Sequence, residues 1–156
     1  MLDALKKLLD ENGGGAARAT PERERHSLQV AVASLVHEAT RVDLKNSPEE
    51  HAAAERALAS LFGVSAAESV SLLEEGRARA QRLTSYYAPI SVIKRGFDLQ
   101  RRVLLIEHLW RIAYADGRLD QYEDHFVRKI AHLLYVPNTQ CILARNRARP
   151  APLSKA

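Results

Sequence analysis

Asp116, Asp120 and Glu123 place three carboxylates within the stretch Ala115-Asp116-Gly117-Arg118-Leu119-Asp120-Gln121-Tyr122-Glu123-Asp124. They lie four and seven residues apart from the first, across a tight glycine turn, so all three can converge. An all-oxygen set of this kind suits a hard cation: Ca2+, Mg2+ or Mn2+. A purely structural reading stands beside it. Asp120 as helix N-cap with Glu123 three residues on is a capping box, and Gly117 is a helix stop. Asp116 is harder to absorb. A carboxylate at a helix C-terminus opposes the macrodipole at a cost of about 0.3–1 kcal/mol. It calls for a compensator: a backbone N–H of the turn, a basic side chain, or a bound cation. The spacing is not that of an EF-hand, because glycine stands second and the twelfth residue from Asp116 is Val127.

The acidic corner has an echo upstream. Residues 30–64 and 103–137 align without gaps at an offset of 73, with Val30/Val103, Asp43/Asp116, Glu50/Glu123 and Leu61/Leu134 identical. Each block reads as an apolar helix, an Asp, a short link, an N-cap (Ser47 or Asp120), a Glu at the third helical position, and a second helix. Helix hairpins repeated in this way pack about a pseudo-two-fold axis, which would bring the two Asp-bearing corners together.

Little else in the chain invites catalysis. His108 and Trp110 flank Leu109 but lack a companion nucleophile or base, and a polar-tipped core role is expected for both. Six histidines are scattered without an HExxH, and only His125 and His132 share a helix face. Cys141 is the sole cysteine, which excludes disulfides and cysteine-based zinc, and it reads as a small buried hydrophobe. Gly13-Gly14-Gly15 lacks the Lys-Ser/Thr of a phosphate loop. Tyr86-Tyr87 is expected to anchor a loop, with a recognition surface as the alternative.

These groups must be carried by helices. Hydrophobic residues make up 46% of the 156 residues and aromatics only 6%, a balance that favours packed helices in one domain. Leu2, Leu5, Leu8 and Leu9 mark a short amphipathic helix over 2–11, joined by the glycines to the rest. Thr20-Pro21, Ser47-Pro48-Glu49-Glu50, Ser65-Ala66-Ala67-Glu68, Asp98 and Asp120 open further helices. The predicted spans are 21–42, 48–62, 66–84, 90–96, 99–115, 121–134 and 139–147, with Tyr86–Pro89 a break. Gly76 predicts a close helix crossing or a kink. The fold class is all-α, about seven helices in a compact bundle. The domain runs over 20–148, with a helix and Gly-rich linker at 1–19 and a flexible tail at 149–156.

The net charge of +4 is uneven. Residues 1–93 hold 11 basic and 13 acidic side chains, and residues 94–156 hold 12 and 6. Arg145, Arg147, Arg149 and Lys155 sit in an acid-free end and read as a solvated tail, so nucleic acid is not an expected partner. No stretch is long and apolar enough for a membrane span, and the start lacks a secretory signal.

The run Val103-Leu-Leu-Ile-Glu-His-Leu-Trp-Arg-Ile-Ala-Tyr-Ala-Asp-Gly-Arg-Leu-Asp-Gln-Tyr-Glu123 resembles the signature of the tellurite-resistance TerB-like family. The likeness is close from Ala113 to Glu123 and extends by pattern over roughly 25–147. It implies an all-helical domain with a hairpin repeat in a bacterial cytoplasmic protein linked to tellurite and stress resistance. It implies a non-enzymatic module with protein partners. Membrane-proximal association is implied as well, because related domains sit in a membrane-anchored DnaJ-type co-chaperone. The family's cation site would map onto Asp116, Asp120 and Glu123, with Asp43 and Glu50 from the first block. That block departs from the signature: no glycine follows Asp43, and Ser47 replaces the second acid. The departure points to a divergent branch of the family. The rival readings are a plain helical interaction scaffold without metal, homo-oligomeric or not, and a metal-dependent hydrolase.

Overall fold

The structure is a computed structural model that describes residues 20–42 and 47–150. The predicted helix over 2–11, the glycine linker, Asp43 and residues 151–156 of the predicted tail lie outside the described residues. Those described form seven α-helices and no strand. They are α1 (Pro21–Arg41), α2 (Pro48–Phe62), α3 (Ala66–Ala80), α4 (Tyr87–Gly96), α5 (Leu99–Ala113), α6 (Gln121–Leu133) and α7 (Asn138–Ala148).

Each expected N-cap is in place. Thr20 Oγ1 accepts from Arg23 N–H at 3.2 Å, Ser47 Oγ from Glu50 N–H at 3.2 Å, and Ser65 Oγ from Glu68 N–H at 3.1 Å. Asp98 Oδ1 accepts from Arg101 N–H at 2.9 Å, and Asp120 Oδ1 from Tyr122 N–H. Such caps satisfy otherwise orphaned donors, each for about 0.5–2 kcal/mol. At its other end α2 has no basic residue in its last turn. Two distant arginines supply it instead: Arg25 Nη2 donates to Phe62 O at 2.9 Å, and Arg101 Nη2 donates to Leu61 O.

The long helices α1 and α5 organise the bundle. α1 packs on α3, α4 and α2, while α5 packs on α7, α2 and α6. Their inward stripes, Val32, Leu35 and Val36 on one and Leu105, Ile106, Leu109 and Ile112 on the other, are fully buried. Removing such a side chain from water contributes about 1.5–3 kcal/mol. Trp110 is also fully buried, and its Nε1–H donates to Cys141 O at 3.2 Å, tying α5 to α7. Gly76 marks a close crossing, as expected. A Cβ there would stand 2.5 Å from the carbonyl carbon of Ala33, so only glycine lets α3 meet α1 at this separation.

Three local expectations are revised. α3 stops at Ala80, four residues short of Thr84, where Arg82 N–H and Leu83 N–H bond to Arg79 O and Ala80 O and tighten the exit. The stretch Tyr86–Pro89 is a helix start rather than a break. Pro89 falls in the first turn of α4, where its missing N–H would have no intrahelical partner anyway. Two of the arginines near the end are not part of a solvated tail. Arg145 and Arg147 belong to α7, and both meet acids of other helices.

Candidate functional site

At the acidic corner, α5 ends at Ala113 and Gly117 takes a left-handed turn with φ +87°. Gly117 N–H donates to Tyr114 O at 2.8 Å. Asp116 is exposed, and its Oδ1 accepts from Arg118 N–H at 3.1 Å. The compensator for this carboxylate is thus a backbone donor of the turn. Asp120 spends one oxygen on the Tyr122 N–H cap. Glu123 follows at the third helical position and is 2% exposed. Its counterpart in the first block, Glu50, is likewise at the third position of α2 and is 0% exposed.

The corner therefore divides. Asp116 is exposed on the turn and Asp120 half-buried at the cap, while Glu50 and Glu123 are buried in the bundle. Among the described residues, no group of three His, Cys, Asp or Glu side chains is placed to hold a metal ion. The donors that are described do not by themselves fit a hard cation, which asks for six to eight oxygens around one point. Asp43, the fifth expected ligand, lies outside the described residues.

The polar groups of α5 are also engaged in structure. Glu107 is buried and takes Arg111 on Oε2 at 2.7 Å and Arg147 of α7 on Oε1. His108 is buried, with Nε2 meeting no hydrogen-bond partner among the described residues. Burial, and secondarily the nearby Arg111 charge, lower its pKa to about 4, so the ring is neutral at pH 7.

A second site includes Tyr86-Tyr87, for which a recognition surface is the alternative reading of the sequence. A cleft of about 780 Å3 opens between α4, α6 and the segment joining α3 to α4. Its walls carry Tyr86, Tyr87, Lys94, Lys129, His132 and Tyr135. Tyr87 is 77% exposed and Tyr135 is 72% exposed. Lys94 Nζ sits 4.4 Å from the centre of the Tyr135 ring, and Lys129 Nζ sits 5.3 Å from that of Tyr86. Tyr86 packs edge-on against Phe126 at 5.9 Å, so it anchors the loop as predicted, whereas Tyr87 does not. Burial, then the adjacent Glu38 carboxylate, push the Tyr86 hydroxyl pKa up and keep it protonated.

Tyr135 is held in an unfavourable conformation. Its φ is +56°, the one non-glycine residue with positive φ among those described. It ends α6 in the position where glycine normally closes a helix: Val136 N–H bonds to Ala131 O at 2.9 Å, and Tyr135 N–H to His132 O at 3.1 Å. The available signal in the sequence was negative, since no glycine or asparagine follows Leu134.

The family described as Tellurite resistance protein TerB matches residues 29–146, from the middle of α1 to the last turn of α7. No curated protein and no solved structure matches significantly. Among the described residues no single helix is long and apolar enough to cross a membrane. With three quarters of its length matched, and an all-helical fold carrying the Ala-Asp-Gly corner between two helices, the chain belongs to the TerB family.

Proposed function

We propose that this chain is a non-enzymatic TerB-type interaction module of the bacterial cytoplasm, acting in stress or tellurite resistance, and that it takes a protein partner on the Tyr87–Tyr135 cleft. The conformation of Tyr135 carries the reading. A bulky side chain in the left-handed region costs about 1–2 kcal/mol. A protein retains that strain at a position where glycine would serve better when the side chain itself is needed. Here the ring is presented to solvent beside a second exposed tyrosine, the residue type that anchors interfaces, with two lysines on the same walls. Nucleic acid is a poorer fit, because Arg145 and Arg147 are turned onto Asp124 and Glu107.

The test is photo-crosslinking in living cells with benzoylphenylalanine in place of Tyr135. Val70, 51% exposed on α3, serves as control. One discrete adduct at position 135 and none at position 70 is expected. Equal labelling at both, or none at either, refutes the cleft as the binding face.

A second reading is favoured by the paired burial of Glu50 and Glu123. Two carboxyl groups at equivalent places in the two blocks offer oxygens, the ligand type that hard divalent cations take. To hold Ca2+, Mg2+ or Mn2+, Asp116 and Asp120 would have to leave their turn and cap bonds and join these two. Calorimetric titration decides it: absence of heat at millimolar metal removes this reading and leaves the corner as turn and cap.

A further inference from the structure

A larger groove, of about 1240 Å3, lies on a different face, between the first half of α1, the end of α4 and the start of α5. Its floor is apolar: Leu28, Phe62, Val92 and Phe97. Its rim is basic on both sides. Arg23 and Arg25 stand on α1, Arg95 near the end of α4 and Arg101 in the first turn of α5. Glu24 is the sole acidic residue of the lining.

The rim is held in place from below. Arg25 and Arg101 are fixed by the carbonyls at the end of α2, and Arg101 also lies 5.2 Å over the Phe97 ring. Arg95 donates to Ser91 Oγ at 3.2 Å. Among the described residues none of the four forms an ion pair with a carboxylate, although seven other ion pairs are present. These four guanidinium groups are thus not spent on carboxylates, while Arg111, Arg128 and Arg147 elsewhere are.

An apolar trough between helices, with cations along both edges, is complementary to an apolar helical stripe flanked by acids. Three turns of a helix about 10 Å across occupy roughly 1300 Å3, so the groove has room for that length. Guanidinium groups anchored through backbone carbonyls keep free N–H donors for carboxylates at low entropic cost. We propose that this groove binds an acidic amphipathic helix of a partner protein, with leucine-like side chains on Leu28, Val92 and Phe97 and carboxylates on the four arginines. The surface is separate from the Tyr135 cleft, and either proposal can fail without the other.

The experiment uses the full chain and two fluorescein-labelled synthetic helices with the same leucine stripe, one flanked by glutamates and one by lysines. Arg23→Glu/Arg95→Glu is the variant, because these two arginines leave the α2 carbonyl bonds intact. A melting curve shows that it folds. Fluorescence anisotropy should show saturable binding of the acidic helix, weakened by about tenfold or more in the variant and by raised salt. The basic helix should bind wild type weakly and gain in the variant. Equal affinity of the acidic helix for wild type and variant overturns the proposal, as does absence of saturation below millimolar chain. Binding of dodecanoate without binding of either helix would make the occupant a fatty-acid chain and also overturn it. So would binding that emerges only when Leu5 and Leu9 are changed to Asp, since the groove would then belong to the chain's own leucine-bearing start.

Discussion

Replacing Tyr135 by glycine and, separately, by alanine measures the strain at the end of α6. With φ at +56°, any L side chain there costs about 1–2 kcal/mol. Alanine keeps that cost. Glycine removes it but loses about 0.4–1 kcal/mol through the greater freedom of the unfolded chain. Both variants give up the Lys94–Tyr135 contact, about 0.5–1 kcal/mol at an exposed site. The glycine variant should therefore exceed the alanine variant by about 0.5–1 kcal/mol, which reverses the usual order of the two residues outside the left-handed region. Against wild type, glycine comes out near even and alanine lower by about 0.5–1 kcal/mol. Urea unfolding followed by far-UV circular dichroism reads the difference, and thermal midpoints should separate by about 2–4 °C per kcal/mol for a chain of this size. Alanine as stable as glycine would refute the strain, and with it the argument that Tyr135 is kept for its side chain. The glycine variant matters for function as well, because it should fold as well as wild type and yet lose the partner.

Gly76→Ala should destabilise by about 1–3 kcal/mol, because the new methyl group would stand 2.5 Å from the Ala33 carbonyl carbon and force α3 away from α1; an unchanged melting temperature would contradict that crossing. His108 predicts an acid dependence. Its folded pKa of about 4 lies below the unfolded value near 6.5, so between these the unfolded state binds more protons and stability falls as pH drops. The effect is at most about 3 kcal/mol, and His108→Leu should flatten that part of the unfolding-free-energy profile relative to wild type. Asp116→Asn keeps an oxygen for Arg118 N–H and should change stability by less than about 0.5 kcal/mol, whereas Asp116→Ala should cost about 1 kcal/mol. A large loss in the Asn variant, measured by denaturant unfolding without metal, would mean that the charge itself matters at this turn.

The helices were legible because their starts are chemically explicit. Thr20, Ser47, Ser65, Asp98 and Asp120 each do in the fold what their side chains allow locally, and the glycine at 117 stops the corner as its missing Cβ predicts. The revised segments lack such markers. No glycine or proline ends α3, so its exit is set by tertiary packing. Pro89 is compatible with both a break and a first turn, and only the packing of Ile90 and Ile93 on the core selects the second. Arg147 reaches Glu107 across 40 residues of sequence, a pairing that composition reads as an unopposed basic end. The far side of the tyrosine cleft was illegible for the same reason: Lys94 and Tyr135 meet only because α4 and the end of α6 are brought together.

The acidic corner shows how one sequence signature can have two physical outcomes. Ser65 and Glu68 form a box at the surface, with Ser65 Oγ donating to Glu68 Oε1 at 3.2 Å and Glu68 exposed. Ser47 with Glu50, and Asp120 with Glu123, have the same spacing, yet both glutamates are buried. Capping accounts for Glu68 in full, but it gives no reason to bury the other two, because an N3 carboxylate can reach the N-cap from the surface. What separates them is position in the repeat. Glu50 and Glu123 are mates under the 73-residue offset, while the residue 73 beyond Glu68 is Cys141, outside the echo. The burial therefore follows position in the repeat, not how a helix starts. Asp116 and Asp120, which a local reading makes the prime ligands, serve the turn and the cap. The carboxyl groups that the bundle has taken inward are those of Glu50 and Glu123.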